Sequence, residues 1–212
     1  LVQADITLVA VTVGDNGVID RCVIDAVQAQ IHFDAAGQLT GDVTAPIETK
    51  NERGDGYGMA TASSIGREWY QQAAAFADYC VGKTVDELRG VAVSEAGEAL
   101  DADLAASVTI YMGDFLSCVE AAVANAQPLG AAAGDQLRLV AETSAAESAS
   151  AGDGDGSGSV TSNIAAVTFR DDVITSCVID AVQPALTFDA AGQLTGDGAA
   201  PASSKNVLKE AY

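Results

Sequence analysis

Hydrophobic positions along the chain follow two different periods. Ile6 to Val13 and Val18 to Ile24 are rich in β-branched residues, and Asp15-Asn16-Gly17 between them is a strong hairpin signal. A third strand is expected at Gln30 to Phe33, followed by a turn at Ala36-Gly37. After this β-meander the period lengthens. Trp69, Ala73, Phe76 and Cys80 recur at helical spacing, with Ser63 or Ser64 as the expected N-cap and Gly82 as the stop. Thr84 and Glu87 fit a capping box that opens a short second helix through Leu88. Asp114 is expected to cap a third helix, in which Phe115, Val119, Ala122 and Ala126 form one apolar stripe. A last strand is expected at Gln136 to Ala141.

The meander occurs twice in sequence. Cys22 to Asp42 reads CVIDAVQAQIHFDAAGQLTGD, and Cys177 to Asp197 reads CVIDAVQPALTFDAAGQLTGD. The two differ only at Ala29/Pro184, Gln30/Ala185, Ile31/Leu186 and His32/Thr187. Upstream, Ala10-Val11-Thr12 matches Ala166-Val167-Thr168, with one residue lost at the turn where Asn16-Gly17 faces Asp172. Downstream, Ala45-Pro46, Lys50-Asn51 and Tyr57 align with Ala200-Pro201, Lys205-Asn206 and Tyr212. The stretch SAAESASAGDGDGSGSV is too poor in apolar mass to build a core and reads as a flexible linker. The expected fold is therefore α+β, an antiparallel β-meander packed with helices, in a tandem repeat with a partial second copy. The expected division is a complete domain at 1–141, a Ser/Gly/Asp linker at 142–162 and the partial second copy at 163–212.

Composition narrows the function classes. With 49% hydrophobic residues the 212-residue chain can bury a core. Its formal charge of -20 repels phosphate backbones and anionic membrane surfaces, which argues against nucleic acid as a partner. No apolar run reaches the roughly 20 residues that span a bilayer. The start at Leu1, without Met or a leader-like segment, reads as a mature or engineered fragment. Cys22, Cys80, Cys118 and Cys177 show no zinc or redox spacing, and Cys22 and Cys177, at equivalent positions, read as buried thiols.

Few groups carry candidate chemistry. The single histidine, His32, is replaced by Thr187 in the second copy, so it reads as structural or exposed. Neither a Ser/His/Asp set, an HExxH motif nor a phosphate loop is present, and no enzyme activity or metal site is expected. Asp153-Gly-Asp155-Gly-Ser157-Gly158 imitates half a calcium loop, but its twelfth position is Ile164, which cannot ligate. The segment from Lys50 to Ser64, just ahead of the Trp69 helix, has two readings. One is a long loop with an N-cap. The other is an anion-binding pocket built on unpaired N–H groups at the helix start, with Lys50, Tyr57, Met59, Ser63, Ser64 and Trp69 as ligand-binding candidates.

Two resemblances add to this. The VTVGDNGVI hairpin, followed by DADLAASVT and FLSCVEAAVANA, resembles the extracytoplasmic FMN-binding domain family, in which a threonine hydroxyl carries FMN as a phosphoester. In the family's motif Asp101 matches the aspartate, Ala106 the alanine, and Ser107 takes the threonine position, while Leu104 and Ala105 depart from it. The resemblance implies FMN as cofactor, with Asp101, Ser107 and Thr109 as its contacts. GDGYGMATASSIGREWYQQAAAFADYCVGKTVDEL and CVIDAVQ resemble uncharacterised lipoproteins of Gram-positive bacteria, which implies an extracytoplasmic location and a membrane anchor upstream. The leading expectation is a surface-exposed, non-enzymatic lipoprotein that binds a small-molecule or cell-surface partner. An FMN-carrying electron-transfer domain and a structural or adhesive surface module are the alternatives.

Overall fold

The computed structural model describes residues 1–196 and 202–209. The expected counterparts Ala200-Pro201 and Tyr212 lie outside those residues. The chain is α+β, with antiparallel sheets. β1 (Val2–Val13) and β2 (Ile19–Phe33) form a long hairpin, and β3 (Leu39–Thr40) extends it. The expected third strand at Gln30 to Phe33 is the end of β2 itself. No turn residue interrupts Ile19 to Phe33, and Ile31 still pairs with Val2. At the hairpin the Gly14 amide donates to the Val18 carbonyl at 2.9 Å, and Gly17 takes φ 78°, a conformation open to glycine.

Helices cover one face of this hairpin. α1 (Lys50–Arg53) leads through a 3₁₀ turn at Gly54–Tyr57 towards α2 (Trp69–Cys80). α3 (Val85–Arg89), α4 (Ala102–Ala105) and α5 (Gly113–Ala124) follow. Thr84 and Glu87 make the expected capping box. Two other caps fall elsewhere. α2 is capped by Glu68, because the chain through Gly66 and Arg67 is not yet helical and the Glu68 amide donates to Gln71 Oε1 at 2.9 Å. α5 is capped by Met112, and Asp114 lies inside its first turn. The stripe Trp69, Ala73, Phe76, Ala77 and Cys80 packs with Phe115, Val119 and Met112 over Ile19, Ile24 and Ala26.

β4 (Gln136–Ser144), β6 (Thr161–Arg170) and β7 (Val173–Val182) make a second sheet, and β5 (Gly156–Ser159) pairs with β8 (Ala185–Phe188). The inner face of the second sheet, with Leu139, Ala141 and Ile164, packs on the other side of the first hairpin against Val2, Leu8, Val27, Ala29 and Ile31. The order is thus helices, first sheet, second sheet. The expected flexible linker at 142–162 does not fit this structure. Its residues finish β4, form β5 and start β6, with Ala145, Ala151 and Val160 buried. Its poverty in large side chains reflects close packing. A Cβ on Gly156 would stand 2.5 Å from a Phe188 ring carbon. The expected boundary also cuts through a shared core, since that cluster takes residues from both sides of it.

Equivalent residues of the two hairpins make the same bonds. Asp25 Oδ1 accepts from the Ala26 and Asn51 amides, and Asp180 Oδ1 from Ala181 and Asn206. Asn51 donates to the Ile24 carbonyl and Asn206 to that of Ile179, each at 2.9 Å. Asn51 lies on α1 and Asn206 on α6 (Lys205–Leu208). Both hairpins carry a register shift at the equivalent threonine, Thr12 and Thr168. The two diverge at Pro184, which stands where the first has Ala29. Proline has no N–H for a ladder, so the second hairpin breaks between β7 and β8 where β2 runs on.

Two contacts lock the sheets together. Phe33 and Phe188 stack with centroids 4.2 Å apart. Asp135 is buried and joins the hairpins. Its carboxylate accepts from Arg170 Nε at 2.7 Å, Thr175 Oγ1 at 2.7 Å and the Ala132 amide at 3.0 Å, while its carbonyl accepts from Arg21 Nε at 3.3 Å. The Ala132 amide, the Thr175 hydroxyl and the Arg170 guanidinium hold the Asp135 carboxyl below its ordinary value of 3.8. Its contribution is present above that unfolded value and is lost as pH falls through the lower folded one. Asp135→Asn is therefore expected to lower the unfolding temperature at neutral pH and to shrink the drop between about pH 6 and about pH 3, as thermal melts across pH would show. Phe188→Ala removes a fully buried ring and is expected to cost about 3–5 kcal/mol in urea unfolding, with no new folding intermediate.

Candidate functional site

The segment ahead of α2 is ordered by its own side chains. Thr49 and Glu52 form a capping box at α1, and the turn at Gly54 returns Tyr57 beneath Lys50. Lys50 Nζ lies 4.8 Å from the Tyr57 ring centre and 5.1 Å from that of Trp69, while the Arg53 guanidinium lies 5.2 Å from Tyr57. Of the six expected ligand contacts, the structure thus groups Lys50, Tyr57 and Trp69. Trp69 is buried and meets Phe115 edge to face at 5.8 Å, so most of its ring belongs to the core.

The remaining three are placed differently. The Met59 amide donates to Glu68 Oε2 at 2.8 Å and the Ala60 amide to Glu68 Oε1 at 3.0 Å. Ser63 Oγ accepts from Gln72 Nε2 at 3.1 Å, and Ser64 is exposed. The expected anion at the start of α2 is supplied by the chain itself. Glu68 is buried there, its carboxylate held by loop amides at the positive end of the helix.

The DADLAASVT segment is equally engaged. Asp101 Oδ1 caps α4, accepting from the Asp103 and Leu104 amides at 3.1 and 3.0 Å. The Thr109 amide and hydroxyl both donate to Gln72 Oε1, at 2.8 and 3.1 Å. Ser107 is half-buried, its amide donating to the Leu104 carbonyl. Gln72 therefore ties the α2 entry loop at Ser63 to Thr109. Sequence reasoning passed over Gln72 and Glu68. The available signal was a polar residue, Gln72, between Trp69 and Phe76 on the apolar stripe of α2.

Among the concavities on the surface of the described residues, two are shallow. One of about 220 Å³ is lined by Gln136, Arg138, Phe169, Asp171 and Asp172. The other, about 250 Å³, lies along His32, Thr40, Val43 and Ile47. Both fall short of the roughly 300–1,000 Å³ usual for small-molecule sites. None of the expected ligand or FMN contacts lines either one. In the calcium-like stretch, Asp155 accepts from the Thr195 hydroxyl at 2.6 Å and Gly156 enters β5. Among the described residues, no three His, Cys, Asp or Glu side chains converge as a metal site.

All four cysteines are free. A hydrogen bond with Cys80, together with burial, pushes the Cys22 thiol far above its ordinary value, and burial raises Cys118. Neither thiol is activated as a nucleophile. Both Cys22 and Cys177 were expected to be buried; Cys22 is half-buried and Cys177 is exposed. Among the described residues, no helix lies over β7 as α2 lies over β2.

These features define an α+β protein whose polar groups are largely spent on its own loops and caps. No protein-family profile matches the chain, and no solved structure matches it. A segment of 42 residues is 45% identical to a chlorophenol reductase of Desulfitobacterium hafniense, covering 20% of this chain and 13% of that protein. Among the described residues, no helix is long and apolar enough to cross a membrane.

Gln72→Leu is expected to cost about 1–3 kcal/mol in urea unfolding, because it leaves the half-buried Thr109 amide without its acceptor. Amide exchange at Thr109 should quicken in the same variant.

Proposed function

We propose that this chain is a non-enzymatic, extracytoplasmic binding protein built from a duplicated α+β unit with a partial second copy, and that its partner is macromolecular. The observation that carries this reading is a contrast of surfaces. Asp101, Thr109, Ser63 and Glu68 are engaged in internal hydrogen bonds, and both concavities are small. Yet Val140 and Ile179, which flank Ala165 on the outer face of the second sheet, are left exposed, as is Ile174 near its turn. Monomeric proteins rarely leave a contiguous apolar patch that has no binding role. The duplicated-unit reading is supported by near-identical 21-residue segments and by the matching Asp25/Asn51 and Asp180/Asn206 bonds. A surface location rests on the resemblance to Gram-positive lipoproteins.

A thermal-shift panel tests the macromolecular reading. FMN, nucleotides, sugars, amino acids and small carboxylates, each at about a hundredfold excess over a micromolar Kd, are expected to leave the melting temperature within about 1 °C. A specific small ligand at that ratio contributes about 2.7 kcal/mol, several degrees for a protein of this size. A shift of that size with any panel member, or a yellow protein when FMN is supplied, would overturn the proposal.

A further inference from the structure

The end of α2 is pinned to the start of β2. The Gly82 amide donates to the Ile19 carbonyl at 2.8 Å, and the Ile19 amide donates to the Lys83 carbonyl at 2.9 Å. Gly82 takes φ 81°, which lets the chain turn out of the helix sharply enough to meet β2 there. This two-way backbone bridge brings Cys80, the last residue of α2, beside Cys22, which lies three positions beyond Ile19. Both belong to the core between the helices and the first sheet, Cys80 with 0% exposure and Cys22 half-buried. Their thiols are hydrogen-bonded to each other.

Two thiols in contact, on elements that are themselves bridged, are placed to join. We propose that Cys22 and Cys80 are a disulfide pair selected by the fold, which an oxidising medium converts into a covalent clamp between α2 and β2. The oxidant is the disulfide of a small thiol. One protein thiolate attacks it, forms a mixed disulfide and expels the first small thiolate. The second protein thiolate attacks the protein sulfur of that mixed disulfide and expels the other. The protein gives up two thiol protons and two electrons, and the small disulfide takes them up in becoming two thiols. The new bond closes a loop that contains α1, the entry segment and α2, and so removes conformational freedom from the unfolded chain. In the folded chain the pair is quiet. Cys80 has no exposed surface, and its hydrogen bond to Cys22, together with burial, keeps Cys22 protonated. Exchange therefore requires the chain to open. The pairing does not depend on the macromolecular reading, since it concerns contacts within the first hairpin and its helices.

Redox equilibration of the full chain tests this. The chain is held in oxidised and reduced glutathione with urea near its unfolding midpoint, where it opens and closes repeatedly. Remaining thiols are then alkylated and the unreduced protein is digested with trypsin. Cleavage after Arg21, Lys50, Arg67 and Lys83 places the two cysteines on peptides 22–50 and 68–83. The species joining these peptides is expected to exceed every other cysteine pairing at least about tenfold, because the fold gives this pair a high effective concentration each time the chain closes. After removal of urea, the joined chain is expected to melt at least about 5 °C above the same chain reduced. Cys177→Ala is expected to leave both results unchanged, while Cys80→Ala is expected to abolish the difference in melting temperature. Comparable yields of several pairings would overturn the proposal. So would glutathione retained on Cys22 and Cys80 without the cross-link, or a joined chain that melts no higher than the reduced one. Should Cys80→Ala fail to fold, the peptide maps of the unaltered chain and of Cys177→Ala decide the matter.

Discussion

Burial of two inner sheet faces against each other holds this molecule together. Val2, Leu8, Val27, Ala29 and Ile31 on one side meet Leu139, Ala141, Ile164 and Leu186 on the other, and the Phe33–Phe188 stack closes the end of the seam. A two-stranded hairpin is marginal in water by itself, so each needs the other's apolar face. Everything else follows from that face being taken. The segment from Ser144 to Thr161 must pass close to Phe188 and Val2, which accounts for Gly156 and Gly158 there. Asp135 must sit where both hairpins can reach it, and it is satisfied by groups from the second hairpin and by Arg21 from the first.

Once the inner faces are committed, each sheet has one outward face to cover. The first sheet uses α2 and α5, and the helical layer is fastened by polar contacts. Glu68 holds the entry loop, Gln72 ties that loop to Thr109, and Lys50 bridges Tyr57 and Trp69. These residues include most of those that suggest binding when the chain is read in one dimension. Their geometry gives them a different task, since a carboxylate that accepts two loop amides or an amide that serves three partners has little left for a ligand.

How much was legible varies by residue for physical reasons. Asp15-Asn16-Gly17, the helical stripe from Trp69 to Cys80, and the Thr84/Glu87 box depend on contacts within a few residues, and each stands where expected. The cap of α5 fell on Met112, which makes no side-chain cap bond, so no local polar signal marked it, and the cap of α2 was misplaced because several polar residues precede that helix. Glu68 prevailed over Ser63 and Ser64 because its carboxylate also serves Met59 and Ala60. The Ser/Gly/Ala/Asp stretch read as flexible because composition reports how much apolar mass a segment brings. It does not report how much a neighbouring segment lends. Phe188 and Val2 supply that mass from afar.

Cys22 and Cys177 draw the same division most sharply. Sequence determined that both sit on the second strand of a hairpin, in the same register and beside the same Asp and Asn bonds, because each copy carries the same strand, Asp and Asn residues at the same spacing. Whether each is covered was decided only by tertiary structure. Both lie on the outward face of their sheet; α2 packs over Cys22, while among the described residues no such helix packs over Cys177. Burial is a property of what packs against a residue, and identical segments share their backbones but not their neighbours.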